Sequence, residues 1–274
     1  MRFNYTRNDA EQWAAFSGDY NPIHFDLQWA RKLGSERLTV HGMRAMLDMK
    51  QALSEALRPA SSDAHFFRFS ARLRQPVRCD LDYRLDIATT EHQASGRLLD
   101  ECNNENCFSA KLLPAASFDI TDAAAPIQRL ERRDVEVLGR RFPGDPLLQW
   151  SFLDALLFQR VVSSAQILSA IKQRLPAMQA RTLIDVFAQL SVVQTHHDVH
   201  FKAGLLTPGT LHCLEDTLSY AISPPLIVGD SDSGLAVRID VQCWTPHGPL
   251  LASAITLKTA SYVQRQDHIK DIDK

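Results

Sequence analysis

The sequence predicts an α+β protein built as two copies of one unit, each an antiparallel sheet wrapped around a long central helix. Two observations carry this. A helix-period apolar run is followed by a series of strand-like segments, and the same order recurs in the second half of the chain. Between the halves lies AASFDITDAAAPIQ, residues 115–128, whose small residues and proline mark a linker. The chain therefore divides into a first unit at 1–114, the linker at 115–128, a second unit at 129–265 and a polar tail at 266–274.

The first unit opens with a short helix over residues 8–16, with Asn8 as its cap, Glu11 as the capping-box partner, and Trp13 and Phe16 facing inward. A turn, SGDYNPIH, follows at residues 17–24. Asp26 then caps a second short helix that Gly34 stops. After His41-Gly42, apolar residues at Met43, Met46, Met49, Leu53 and Leu57 define one face of a buried helix, with Pro59 just past its end. The strand-like segments are HFFRFSARLRQPV, LDYRLDIATTEHQ, GRLLDEC and CFSAKLLP. In the second unit, residues 146–176 are long, apolar and helical in period. Strand-like runs follow at TLIDVFAQLSVVQ, HHDVHFKAGLL, TLHCLEDTLSYAIS, GLAVRIDVQCW and PLLASAITLKTASYV, the last two joined by a turn at Thr245-Pro246-His247-Gly248.

Composition narrows the function. The 274 residues are 45% hydrophobic and 23% charged, with a formal charge of −2, an ordinary globular balance that gives no reason to expect nucleic acid or an anionic membrane as partner. No window approaches the roughly 18 consecutive apolar residues of a membrane span. MRFNYTRNDAEQW lacks the apolar core of a signal peptide. The five scattered cysteines fit reduced thiols in a cytoplasmic protein, and Cys102 and Cys107 have no second Cys/His pair at zinc spacing.

The chemistry-bearing stretch is SGDYNPIH. Asp19 and His24 flank Asn21-Pro22, and proline fixes its own φ while restricting the residue before it. An acid and an imidazole on so stiff a turn can hold one water and exchange protons with it. Together with Ala30, Gly34 and His41-Gly42-Met43, the stretch closely resembles the MaoC-like family of (R)-specific enoyl-CoA hydratases and 3-hydroxyacyl-thioester dehydratases, whose pattern is S-G-D-x-N-P-x-H, D-x-x-x-A, then H-G-M. A proline that often precedes H-G-M in that family is absent from Glu36–Thr39. The resemblance is strong over residues 13 to 45 and rests on element order alone to residue 114.

The resemblance implies a double hot-dog fold and a hydro-lyase. The expected reaction is reversible hydration and dehydration of trans-2-enoyl and (3R)-hydroxyacyl thioesters of CoA or an acyl carrier protein, with no cofactor and no metal. It implies Asp19 and His24 as the catalytic pair and Gly42 as the oxyanion donor, with His41 and Met43 beside it. Ser17 and Asn21 are expected to orient the pair. Arg72, Arg74 and Arg78 read either as contacts for carrier phosphates or as a charged strand edge. His196, Asp198 and His200 read either as one ligand-compatible strand face or as a plain polar face. Asp154 interrupts the apolar second helix and reads as a solvent-side position, although some hot-dog thioesterases use a helix acid. The second unit has no D-x-N-P-x-H, so it is expected to be silent, pairing with the first as in a homodimer and making room for the acyl chain. Two alternatives stay open: an inactive acyl-thioester-binding subunit of a larger dehydratase, and a thioesterase.

Overall fold

The computed structural model describes residues 1–32, 34–57, 64–120, 125–144, 148–209 and 217–262. Pro59, Cys213 and the tail at 266–274 lie outside them. In chain order the first half carries strand β1 (Arg2–Asn4), helix α1 (Arg7–Ser17), helix α2 (Leu27–Lys32), the long helix α3 (Gly42–Ala56), and strands β2 (Phe66–Leu73), β3 (Asp82–Thr89), β4 (Ala94–Asp100) and β5 (Asn106–Ala115). The second half carries strand β6 (Gln128–Glu131), helices α4 (Arg132–Gly139), α5 (Gln149–Val162), α6 (Ala165–Arg174) and α7 (Leu183–Gln189), then strands β7 (Val192–Lys202), β8 (Thr217–Ile222), β9 (Leu226–Asp230), β10 (Gly234–Thr245) and β11 (Gly248–Thr259).

The strands form one 11-stranded sheet in the order β1-β3-β4-β5-β2-β7-β11-β10-β8-β6, with β9 on β10. Its two halves share a layout, β3-β4-β5-β2 and β7-β11-β10-β8, and meet where β2 pairs antiparallel with β7. Helix α3 packs on β3, β4 and β5, and α5 packs on β10 and β11. Each half is thus an antiparallel sheet wrapped around one long helix, and the chain is a double hot-dog. The helices touch each other as well. Aromatic stacking closes the seam: Trp150 lies parallel to Phe201 at 4.4 Å and tilts against Phe69 at 5.4 Å. No helix among the described residues is long and apolar enough to cross a membrane.

Several elements depart from the sequence expectations for local reasons. Helix α1 is capped by Thr6 with Asp9 in a full capping box, two residues earlier than Asn8 and Glu11. The apolar run at 146–176 is two helices, because Ser163 and Ser164 break it and Ser164 caps α6. Residues 183–189, expected as strand, are helix: Thr182 and Asp185 form a second capping box that outweighs the β-branched residues. Strand β6 and helix α4 occupy residues whose polar pattern announces neither.

Candidate active site

The turn after α1 is built from successive side-chain-to-backbone hydrogen bonds. Gly18 ends the helix in the left-handed region at φ 75°, where a side chain would be strained. The Asp19 N–H donates to Ser17 Oγ (3.1 Å), the Asn21 N–H to Asp19 Oδ1 (3.2 Å), and the Ile23 N–H to Asn21 Oδ1 (3.3 Å). Pro22 opens the single 3₁₀ turn that ends at His24. Ser17 and Asn21 therefore shape the loop and hold Asp19 and His24 at their positions.

The ring orientations follow from their partners. His24 Nδ1 lies 2.8 Å from the Thr39 carbonyl oxygen, which only accepts, so Nδ1 carries the proton and Nε2 offers its lone pair. His41 Nε2 likewise donates to the Asp19 carbonyl oxygen at 2.8 Å, and its buried Nδ1 has no hydrogen-bond partner. The two imidazoles lie 3.6 Å apart between centroids, tilted by 30°. One donor atom from each of Asp19, His24 and His41 lies within 4.8 Å of the others. A hydrogen bond spans about 2.8 Å, so one water can touch two of them at once. Among the described residues this is the one cluster with ligand atoms close enough to share a metal ion. His196, Asp198 and His200 do not converge: Asp198 accepts from Arg68 and Ser70, and His196 meets Thr195.

Burial sets the protonation states. It raises the Asp19 carboxyl above its ordinary value, against the lowering influence of His24 and the Asn21 N–H. Burial, helped by the adjacent His41, pushes His24 from 6.5 to about 3, and burial pushes His41 to about 4. Both rings are neutral in the folded protein, whereas an unfolded chain protonates them below pH 6.5. Stability from these two rings is therefore present above pH 6.5 and is lost as pH falls toward their folded values. The raised Asp19 carboxyl acts in the opposite sense and offsets part of the loss. We expect about 3 kcal/mol less stability at pH 5 than at pH 7, measured by urea unfolding. The His24→Gln/His41→Gln double variant should flatten that slope.

Gly42 is the first residue of α3, with His41 as its N-cap. The N–H groups of a first helical turn have no intrahelical partner and sit at the positive end of the dipole. A Cβ at Gly42 would come within 2.7 Å of Leu73 Cδ2 and 3.5 Å of Gln194 Oε1, so glycine lets these side chains approach the helix start closely.

Asp19, His24, His41, Gly42 and Met43 line one cavity of about 150 Å³. It runs into the second unit, where Val162, Ile171, Phe187 and Ile239 form apolar walls. The three arginines do not gather at it. Arg72 points to the outer face of the sheet while its neighbour Leu73 faces the cavity, and Arg74 donates to Ser109 Oγ. Arg78 is half-buried beside the cavity wall at Val77, its backbone bridging Thr39.

Asp154 corrects the sequence expectation outright. It is fully buried rather than on the solvent side, between Lys50 of α3 and His197 of β7, both also fully buried. Asp154 Oδ2 accepts from the Lys50 ammonium and, at 2.8 Å, from His197 Nε2. Its charge is satisfied inside the core, so the residue needs no solvent. Burial alone would raise its carboxyl, but His197 and Lys50 outweigh burial and hold it well below the usual carboxylate range. Sequence reasoning also missed Gln194, which lines the cavity from the second unit.

Comparison with known proteins agrees with the motif. Residues 2–102 match the family model described as "MaoC like domain". No curated protein matches the chain. Similar solved structures include a MaoC-like dehydratase at 10% identity, covering 96% of each chain with a TM-score of 0.42. Another is an unliganded R-hydratase from Pseudomonas aeruginosa at 17% identity, covering 46% of this chain and 88% of its own, TM-score 0.32. A third is a 12:0-ACP thioesterase from Umbellularia californica at 9% identity, covering 81% and 88%, TM-score 0.41. Residues 2–102 of this chain, within the first of its two hot-dog units, are a MaoC-like domain.

Proposed function

We propose that the protein hydrates trans-2-enoyl thioesters to (3R)-hydroxyacyl thioesters, and reverses the reaction, at Asp19 and His24. The observation that carries this is the pair itself: a carboxyl and a neutral imidazole with its lone pair free, close enough to share one water at the end of an apolar cavity. His24 Nε2 takes the water's proton as the oxygen attacks C3. The carboxyl of Asp19 supplies the proton to C2. Burial displaces the two groups in opposite directions, the Asp19 carboxyl toward its protonated form and the His24 imidazole toward its neutral form, which favours this division. The enolate oxygen is held by the N–H groups at the start of α3, with Gly42 admitting it. The step needs no redox change and no Lewis acid.

Both groups act from one side of the substrate, so water adds syn. Hydration in D₂O should place one deuterium at C2, syn to the new hydroxyl of a (3R) product. Anti addition or a (3S) product would remove the pair from the mechanism. CoA and an acyl carrier protein both present such thioesters, and the second unit serves as the wall of the acyl channel. Helix acid Asp154 is enclosed by Lys50 and His197 and is not among the residues lining this cavity, which favours hydration over thioester hydrolysis at that acid.

The depth of the apolar wall sets acyl length. Ile171→Phe adds bulk to the part of the cavity wall that the second unit supplies. It should lower kcat/KM for eight-carbon and longer enoyl thioesters by about tenfold while sparing the four-carbon substrate, in line with the cost of overpacking an apolar pocket. A chain-length series compares the two.

A further inference from the structure

The second unit contributes more than apolar wall. Gln194 on β7 reaches into the cavity that holds Asp19, His24 and Gly42. Its amide nitrogen makes two contacts, at 3.3 Å to His197 Nδ1 and at 3.7 Å to Met43 Sδ. The first is fixed by chemistry. Asp154 Oδ2 beside the Lys50 ammonium can only accept, and Lys50 already balances its charge, so a neutral His197 imidazole carries its proton on Nε2 and leaves a lone pair on Nδ1. That lone pair requires an N–H from Gln194. With its nitrogen so engaged, the amide turns Oε1 the other way, to 3.5 Å from where a Cβ on Gly42 would stand.

We propose that Gln194 Oε1 is a substrate-positioning acceptor beside the thioester carbonyl, and that the chain Lys50–Asp154–His197 fixes which way its amide faces. The proposal rests on the hydration reading above. It completes the site across the two units: Lys50 comes from α3 of the first, and Asp154, His197 and Gln194 come from the second. It also accounts for a fully buried ion pair in a core that could have been apolar. The ligand chemistry is a hydrogen-bond donor close to the thioester. A thioester of CoA or a carrier protein offers an amide N–H two methylenes beyond sulfur. The hydroxyacyl form adds the C3 hydroxyl.

The test is steady-state kinetics of wild type, Gln194→Leu and His197→Phe on three substrates: an enoyl N-acetylcysteamine thioester, the matching enoyl S-alkyl thioester without an amide, and the 3-hydroxyacyl N-acetylcysteamine thioester. If the arm amide is the donor, Gln194→Leu should raise KM about tenfold for both amide-bearing substrates and change the amide-free one less than twofold. If the hydroxyl is the donor, the loss should be confined to the hydroxyacyl substrate. His197→Phe frees the amide and should reproduce the same selectivity with a smaller loss. Gln194→Leu leaves the buried His197 Nδ1 without its donor and should lower the melting temperature modestly, so circular dichroism checks that the variant folds before its KM values are compared. Equal losses on all three substrates, or changes under twofold throughout, would overturn the proposal. Wild type inactive on every enoyl thioester would instead overturn the hydration reading, and this one with it.

Discussion

Asp19→Asn and His24→Gln should each lower kcat for enoyl hydration by about 10²–10⁴-fold, with KM changed far less. Asp19→Asn keeps the oxygen that receives the Asn21 N–H, so the loop survives while the carboxyl's proton is gone. His24→Gln keeps a donor for the Thr39 carbonyl but has no lone pair of imidazole basicity. Because the two groups act on one water, the double variant should be little worse than either single one. Additive losses would mean that the residues serve separate steps. Circular dichroism and melting curves check that both variants fold, since neither substitution removes core volume.

Lys50→Met should destabilise the protein by about 3–5 kcal/mol, read as a shift in denaturant midpoint. Lys50 is fully buried, with its ammonium on Asp154 and its Nζ 5.7 Å from the Phe69 ring and 5.3 Å from the Trp150 ring. Removing it leaves an Asp154 carboxylate in the core with His197 as its sole hydrogen-bond donor. Asp154 Oδ1 already lacks a hydrogen-bond partner, so the site has no spare capacity. The Lys50→Met/Asp154→Leu pair should regain most of the loss, because two apolar groups of similar size remove the unpaired charge. If Lys50→Met alone is neutral, the buried ion pair contributes nothing to stability.

Much of this was legible from sequence where one local pattern decides the outcome. The stripe of Met43, Met46, Met49 and Leu53 marked α3, and the Asp-x-Asn-Pro-x-His turn next to His41-Gly42 marked the candidate site. Both signals lie within about one turn or one helix of chain, where propensity and stereochemistry act directly. The failures came from two causes. Residues 183–189 carry β-branched and aromatic side chains that read as strand, yet the capping box at Thr182 and Asp185 prevails. Lys50 and Asp154 stand 104 residues apart, and Lys50 sits among the apolar positions of α3 without any local hint of a partner. A lone lysine in one apolar helix face and a lone aspartate in another were each explicable as exposed residues. Only the packing of α3 against α5 shows that they neutralise each other. Gln194 was hidden for the same reason, since its role depends on β7 meeting β2.

The proposed reaction adds water at the double bond rather than at the thioester. The most direct measurement follows crotonyl-CoA at the enoyl absorbance and, in the same cuvette, free thiol with a thiol-reactive dye, for wild type and Asp19→Asn. Wild type should lose the enoyl band without thiol release, and Asp19→Asn should give neither signal. Thiol release that matches the loss of absorbance, or an Asp19→Asn variant as fast as wild type, would contradict the proposed reaction.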